Sequence, residues 1–429
     1  MLTRRAVQLF NSLTQKLENF APVNERVTIY VCGITPYDTT HLGHAFTYTS
    51  ADILVRFLES RGYSVLYAQN VTDVDDDILR KAKETGEDWR EVGNRWTAHF
   101  IQDMISLNVR PPDIYPRATD VIPDIISSVE RLLASGVAYE SAGNVYFSVD
   151  SWQAFGRLSR LNREEMLPIA NERGNHPDDP HKRNPLDFVL WQAHVEGEPA
   201  WDSPWGPGRP GWHIECSTMA TKYLGSPIDI HGGGADLCFP HHECEITQFE
   251  PISSERPFVR FWLHAAMVSH AGAKMSKSLG NLIMVRDLLQ NYSPDALRLY
   301  LGSHHYREPW THSEDELNQA QHWADMLFTA ATARGTDGKA LDPEPGRQAF
   351  QRALEADLET RTAVAVMVNL AEQILNAAGE QRSIADAQRS LVEMSRIFGL
   401  RLGSPQDPRV ISGWRTHLQR FPVQVIETK

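Results

Sequence analysis

Residues 27–62, VTIYVCGITPYDTTHLGHAFTYTSADILVRFLESRG, decide the fold. The first eight residues are mostly β-branched or aromatic and end shortly before Pro36, which predicts a buried strand. Apolar residues at helical spacing follow from HLGH onward. A second strand-like run, YSVLYAQNVTD, comes after Gly62 and leads into the helical DDDILRKAKETGE. This alternation of strand and helix predicts an α/β domain with a parallel sheet.

The remaining patterns divide the chain of 429 residues into consecutive segments. The second segment is rich in proline and is predicted to be an inserted region with long loops between two halves of the α/β domain. The fourth has helical periods and is predicted to be a helical bundle, followed by a short tail. The predicted boundaries are 1–115, 116–205, 206–310, 311–400 and 401–429, and the bundle helices are predicted at 313–333, 347–359, 361–378 and 384–399.

The composition restricts the class of protein. Apolar residues make up 41% and charged residues 23%, as in ordinary globular proteins. The sequence lacks the apolar run that a membrane span or a signal peptide needs, so we expect a cytoplasmic protein without a membrane partner. The net charge of −13 opposes sequence-independent binding to polyanions. Four cysteines exclude a disulfide framework and favour metal ligands or packed core thiols.

Two short elements have the chemistry of a triphosphate site. In HLGH, Gly43 permits close approach, while His41 and His44 stand at the start of a helix whose dipole favours phosphate. In KMSKS, Lys274 and Lys277 lie three residues apart before a glycine and can both reach one triphosphate. The alternatives are surface or capping histidines and a solvated lysine pair.

A set of metal-binding side chains accompanies these elements. Cys32 ends the first strand, Cys216 lies on a later helix, and His241, His242 and Glu245 cluster after a glycine turn. Thiolate, imidazole and carboxylate ligands together suit zinc. Their spread over more than 200 residues indicates an active-site metal and not a structural knuckle. The alternative is that the cysteines only pack in the core.

The joint pattern resembles the class I aminoacyl-tRNA synthetases, with their HIGH-type and KMSKS-type motifs. Within that class it resembles the cysteinyl-tRNA synthetase family, and most of all the mycothiol-pathway cysteine ligase, over about residues 25–310. The motifs that carry the resemblance are YVCGITPYDTTHLGH (30–44), NVTDVDDDILRKA (70–82), NPLDFVLW (184–191), EPAWDSPWGPGRPGWHIECS (198–217), DIHGGGADLCFPHHECE (229–245) and AKMSKSLGN (273–281).

The resemblance implies a fold, cofactors and a set of site residues. The fold is a Rossmann-like parallel sheet with an inserted connective region, followed by a C-terminal α-helical bundle. The cofactors are one Zn²⁺ per chain and ATP with Mg²⁺ as substrate. The implied residues are His41, His44, Lys274 and Lys277 for catalysis; Gly43, Gly234, Asp236 and Ser276 for ATP, with Gly234 and Asp236 on the side of the ribose or the substrate ammonium; Gly33, Thr72 and Trp212 for cysteine; and Cys32, Cys216, His241 and Glu245 for the metal.

The resemblance also implies activation of L-cysteine to cysteinyl-adenylate, which leaves the acceptor open. We expect a small amine such as glucosaminyl-inositol, because thirty residues after Gly399 are too few for an anticodon-binding domain and residues 163–191 resemble the ligase. The alternative is a shortened cysteinyl-tRNA synthetase acting on tRNA-Cys, and Glu245 resembles that enzyme more closely. A third alternative is an inactive paralogue that serves as a binding module, against which the intact motifs count. We expect a monomer.

Overall fold

The structure, a computed structural model, describes residues 6–37, 40–275 and 280–422. The strands are β1 (Gln8–Asn11), β2 (Lys16–Asn19), β3 (Arg26–Ile34), β4 (Ser64–Val71), β5 (Ala138–Ser141), β6 (Asn144–Phe147), β7 (Phe188–Ala193), β8 (Gly208–Pro210), β9 (Ile228–Gly234), β10 (Val259–Ala265), β11 (Val268–His270), β12 (Ala273–Lys274) and β13 (Trp310–Thr311). The helices are α1 (Leu42–Ser60), α2 (Asp76–Thr85), α3 (Trp89–Ser106), α4 (Ile122–Ala134), α5 (Arg163–Glu172), α6 (Trp212–Leu224), α7 (Glu243–Phe249), α8 (Val285–Leu288), α9 (Pro294–Gly302), α10 (Glu314–Thr332), α11 (Glu344–Glu355), α12 (Thr360–Gly379), α13 (Ala385–Ile397) and α14 (Pro408–Leu418).

A parallel sheet with strand order β10-β9-β3-β4 lies at the centre of the described chain. Strand β3 is an inner strand, which explains its run of buried apolar residues, because helices cover both faces of such a sheet. The sheet joins the segment before the insertion to the segment after it, since β3 and β9 pair through Ile29 and Ile230. The α/β prediction is therefore confirmed.

The inserted region has its own antiparallel sheet, with strand order β5-β6-β7-β8. The proline-rich stretch was expected to consist of long loops, yet it contains α5, β7 and β8. The carboxylate of buried Asp187 accepts hydrogen bonds from Tyr139 Oη (2.7 Å), Val149 N (2.9 Å) and Asn184 N (3.0 Å). Two of these bonds satisfy backbone amides that have no partner in the sheet. Because β8 continues to Pro210, the inserted sheet extends five residues beyond the predicted boundary at 205.

Helices α10 to α13 form the bundle and correspond to the four helical periods in the sequence. Helix α14, within the predicted tail, packs back onto α3 of the α/β domain. The side chain of Trp414 is fully buried there, and its Nε1 donates to Val109 O at 2.8 Å. The tail is therefore part of the packed structure up to α14. None of the described helices is both long enough and apolar enough to cross a bilayer.

A buried ion pair connects the bundle to the α/β domain. The guanidinium of Arg298 on α9 donates to the carboxylate of Asp52 on α1, to Phe398 O at the end of α13 and to Leu107 O after α3. Neither Arg298 nor Asp52 has more than 1% of its surface exposed. Burial by itself would raise the pKa of Asp52, but Arg56 and Arg298 outweigh it and lower the pKa. The pair therefore holds α1, α9 and the bundle in one arrangement.

We predict that Arg298→Met lowers the free energy of unfolding by about 3 kcal/mol, because it leaves a buried carboxylate short of one positive partner. Urea unfolding followed by circular dichroism measures the change. The matched control is Arg389→Met, whose guanidinium pairs with Asp386 on the surface of the bundle. That variant should change stability by no more than about 0.5 kcal/mol. Equal effects of the two substitutions would contradict the role of the buried pair.

Candidate active site and metal centre

An irregularity in strand β3 places Cys32 at the carboxyl edge of the sheet. Val31 pairs with Gln69 and Ile34 pairs with Val71, so β3 has one residue more than β4 between these positions. A Cβ on Gly33 would lie 1.5 Å from Asn70 O, which means that only glycine permits this approach of the two strands. The amide of Gly33 donates to Asn70 Oδ1 at 2.8 Å. Glycine at 33 therefore sets the position of the thiol beside it.

Cys32, Cys216, His241 and Glu245 come together at this edge. Cys216 lies on α6, His241 in the turn Cys238–His242, and Glu245 on α7. One ligand atom from each residue lies within 4.8 Å of the others, and all four residues are buried. Glu245 Oε1 is 3.3 Å from His241 Nε2 and 3.7 Å from Cys32 Sγ. Two thiols, an imidazole and a carboxylate at this spacing suit a tetrahedral Zn²⁺.

A second group of metal-binding atoms overlaps the first. Cys32, His231, His242 and Glu245 also lie within 4.8 Å of one another. The first group has two sulfur ligands, and Cys32, Cys216 and His241 line an open cavity of about 590 Å³, whereas His231 and His242 do not. A metal held by the first group would have three of its four ligands at the cavity wall, whereas a metal held by the second would have only Cys32 there. We therefore take the first group as the candidate metal centre and His231 and His242 as its supports.

The supporting histidines form hydrogen bonds behind the four candidate ligands. His231 Nε2 lies 3.1 Å from Glu245 Oε2, on the oxygen that does not face His241. His242 Nε2 lies 3.4 Å from Cys32 Sγ, and its Nδ1 lies 2.8 Å from His264 Nε2. Partners of this kind fix the orientation of metal ligands and tune their basicity.

Burial shifts the protonation of these groups. It raises the pKa of the Cys32 thiol, as do Cys216 and Glu245, and it raises the pKa of Glu245. Burial also lowers the pKa of His241, with a smaller contribution from His213, so the imidazole is neutral and able to coordinate a metal. Without a cation, the thiols, the carboxyl group and the imidazoles of a buried site are stable in their neutral forms. A bound cation would supply the positive charge that allows the thiols and the carboxyl group to ionise.

The HLGH element begins helix α1 in an unusual way. His41 is the N-cap, and its Nδ1 accepts hydrogen bonds from Gly43 N at 3.1 Å and His44 N at 3.4 Å. Because Nδ1 accepts, the ring proton of a neutral His41 is on Nε2, which can donate. A Cβ on Gly43 would lie 3.0 Å from His41 Cε1, so the glycine makes room for this ring. The rings of His41 and His44 stack with centroids 3.7 Å apart.

The segment after the KMSKS element pairs directly with the segment that begins HLGH. Leu42 N donates to Ile283 O at 2.8 Å, and Val285 N donates to Thr40 O at 3.0 Å. Met275 is buried and lines the same cavity as His41. Ser276 and Lys277 lie outside the described residues, as does the side chain of Lys274. The backbone therefore brings the two ends of the predicted triphosphate site together.

The residues that the resemblance assigns to cysteine and ribose line the same cavity. Thr72 Oγ1 accepts from Asn70 Nδ2 at 3.2 Å, which ties it to the strand irregularity beside Cys32. The ring of Trp212 stacks on His241 with centroids 4.5 Å apart. The cavity wall contains Gly33, Cys32, His41, Gly43, His44, Thr72, Trp212, Cys216, Gly234, Asp236 and His241, while Glu245 lies behind it.

Sequence reasoning missed several residues of this site. The insertion contributes Arg173, and the NVTDVDDD segment contributes Asp77, which faces Tyr37 and Arg80 in the cavity wall. His231 and His264 were also missed, although His231 directly precedes the glycine turn of DIHGGG. That adjacency was the only signal available, because the role of each of these side chains depends on neighbours that are distant in sequence.

Comparison with known proteins identifies the class. The family model described as the tRNA synthetases class I (C) catalytic domain matches residues 19–322. The chain therefore belongs to the class I tRNA synthetase family and is an AMP-forming ligase. Within that family, it resembles proteins that are named cysteine–tRNA ligase.

The relatives cover most of the chain. The cysteine–tRNA ligase of Dehalococcoides mccartyi is 43% identical over 400 residues, which are 92% of this chain and 87% of the relative. That of Idiomarina loihiensis is 42% identical over 409 residues, with coverage of 94% and 87%. The fold is similar to methionyl-tRNA synthetase of Mycobacterium tuberculosis in complex with methionyl-adenylate, with a TM-score of 0.61, 14% identity and 93% of each chain covered. These matches confirm the class I synthetase fold expected from the sequence.

We predict that zinc affinity depends on the thiol of Cys216 and does not depend on a buried thiol outside the candidate metal centre. Cys216→Ser should lower the affinity for Zn²⁺ by at least about a hundredfold, because it removes a direct ligand. Competition with a chromophoric chelator measures this affinity. Cys244→Ser is the matched control, since Cys244 is buried nearby but belongs to neither group of ligands. Unchanged zinc affinity in Cys216→Ser would instead assign the metal to the group that contains His231 and His242.

Proposed function

We propose that this protein activates L-cysteine with ATP and Mg²⁺ and transfers the cysteinyl group to tRNA-Cys, as a cysteine–tRNA ligase. The observation that carries the proposal is the group of two thiols, an imidazole and a carboxylate at the wall of the cavity that also contains the HLGH histidines. An amino acid bound there has its side chain near the metal ligands and its carboxylate toward the ATP site. The names of the relatives support both the amino acid and the acceptor.

In the first step, a carboxylate oxygen of cysteine attacks the α-phosphorus of ATP, and the bond to pyrophosphate breaks. His41, whose Nδ1 is occupied by backbone amides, donates from Nε2 toward the phosphates, and the dipole of α1 favours their negative charge. Lys274 and Lys277 balance the charge that develops on the leaving pyrophosphate. In the second step, a ribose hydroxyl of the tRNA attacks the carbonyl carbon and AMP leaves.

Cys32, Cys216, His241 and Glu245 would hold one Zn²⁺ in this site. When bound, the ion favours a deprotonated thiol over a hydroxyl as an added ligand, which selects cysteine against serine. The ring of Trp212, stacked on His241, limits the rotation of that candidate ligand and closes one side of the pocket. His231 holds the second oxygen of Glu245.

A second candidate acceptor, the small amine expected from the sequence, is favoured by a neighbouring cavity. This side cavity of about 1190 Å³ lies against the inserted region and shares Tyr37, Asp77, Arg173 and Trp212 with the cysteine cavity. Carboxylates in its wall can pair with an ammonium group. They belong to Asp75, Asp76, Asp77, Glu172 and Asp179. Four basic side chains in the same wall, those of Arg80, Arg173, Lys182 and Arg209, offset most of this charge, and two of them pair with Asp77 and Asp76.

The experiment separates activation from transfer. Pyrophosphate exchange that depends on cysteine tests activation, and serine is the control amino acid. Labelled cysteine is then offered with tRNA-Cys and, separately, with glucosaminyl-inositol. We expect label on the tRNA. Label on the aminosugar alone would replace the tRNA acceptor by the amine, and absence of cysteine-dependent exchange would refute the proposed activation.

We predict that Lys277→Ala lowers kcat of pyrophosphate exchange by about a hundredfold and leaves KM for cysteine nearly unchanged, because its charge is needed when the triphosphate breaks. Steady-state exchange kinetics provide both constants. Lys339→Ala, an exposed lysine before the bundle helix α11, is the control and should retain full activity. A raised KM for cysteine with an unchanged kcat would contradict the assigned role.

A further inference from the structure

One arginine of the inserted region extends into the substrate cavity. Arg173 follows the last residue of α5, and its side chain lines both the cysteine cavity and the side cavity. The catalytic residues discussed so far come from the α/β domain, so Arg173 brings the insertion into contact with the reaction site. Its charge is directed at one of the proposed substrate-binding residues.

The guanidinium of Arg173 pairs with the carboxylate of Asp236. Arg173 Nη1 donates to Asp236 Oδ2 at 3.0 Å. The other carboxylate oxygen, Oδ1, lies against Gly234, where a Cβ would be only 2.5 Å away. Gly234 therefore leaves space for one oxygen of the Asp236 carboxylate, and Arg173 binds the other oxygen. Together they fix the direction in which Asp236 faces the cavity.

The backbone around Arg173 is itself held in place. Helix α5 packs against the turn Cys238–His242, which carries the metal-binding imidazole. Arg173 N and Asn175 N both donate to Ala170 O, at 2.9 and 3.0 Å. The side chain of Asn175 donates to Pro185 O at 3.0 Å. Arg173 therefore extends from a backbone held by hydrogen bonds, and its guanidinium is held by Asp236.

We propose that Arg173 is a positioning residue that orients Asp236 for the ribose hydroxyls or the ammonium group of the bound substrates. The inference rests on the proposed function, in which Asp236 contacts substrate. Through this pair the inserted region acts on substrate binding. Arg173 and Asp236 retain 24% and 29% of their side-chain exposure, so solvent screens the pair and it contributes little to folding. We therefore expect loss of the pair between Arg173 and Asp236 to lower the affinity for substrate.

The test compares Arg173→Gln, Arg173→Lys, Asp236→Asn and the double variant in pyrophosphate exchange, with KM determined separately for cysteine and for ATP. Asp236→Asn should raise the KM for one of the two substrates. Arg173→Gln should raise the KM for that same substrate by about tenfold, with little change in kcat. The double variant should be no worse than Asp236→Asn alone, since the two residues act as a unit. Arg173→Lys keeps the charge but loses the planar fork and should be intermediate.

Arg183→Gln is the matched control from the same loop, because its guanidinium lies 3.9 Å from the Tyr139 ring and lines neither cavity. It should behave as wild type. Wild-type constants in Arg173→Gln, additive effects in the double variant, or a rise in the other KM would each overturn the inference. These results require an active wild-type protein, whereas failure of the proposed function would appear as absent cysteine-dependent exchange in the wild type.

Discussion

One edge of the sheet buries two thiols, a carboxylate and an imidazole together. Their burial requires that the strand, the turn and the two helices that carry them pack against one another. Cys32, Cys216, His241 and Glu245 are each at most 4% exposed. Ionised groups in such surroundings cost several kcal/mol each unless a cation compensates them. The four residues come from a strand, a helix, a turn and a second helix, so the elements that carry them have to meet before the group can form.

The order of strands satisfies this requirement. Strand β3 lies between β4 and β9, so Cys32 lies beside the segment that follows β9. That segment contains the imidazole of His241 and the carboxylate of Glu245. The same edge begins helix α1, whose N-cap His41 lines the cavity and whose dipole favours negative charge. Parallel strands direct their carboxyl ends to one side, and ligand sites in such sheets lie beyond those ends. The candidate metal ligands and the predicted triphosphate site are therefore neighbours because of the topology.

The sequence predicted the parts of this arrangement that depend on local pattern. The buried run of β3, the amphipathic spacing of α1 and the bundle helices α10 to α13 all matched their elements, because burial on one face leaves a period in the chain. The same logic failed in the insertion, where β7 depends on pairing with β6 and β8 and the loops depend on long-range hydrogen bonds such as those from Tyr139 and Val149 to Asp187. The metal-binding residues could be proposed from their chemistry, but their grouping, the supporting histidines and Arg173 required contacts across the fold.

The pairing between the HLGH segment and the chain after the KMSKS element uses only backbone atoms of Thr40, Leu42, Ile283 and Val285. Backbone pairing does not itself depend on which side chains occupy these positions. It depends on chain length, because one inserted or deleted residue turns every following side chain to the opposite face of an extended segment. A change of one residue in the length of either segment would therefore move His41 away from its place at the cavity and expose Leu42 and Val285, which are now buried.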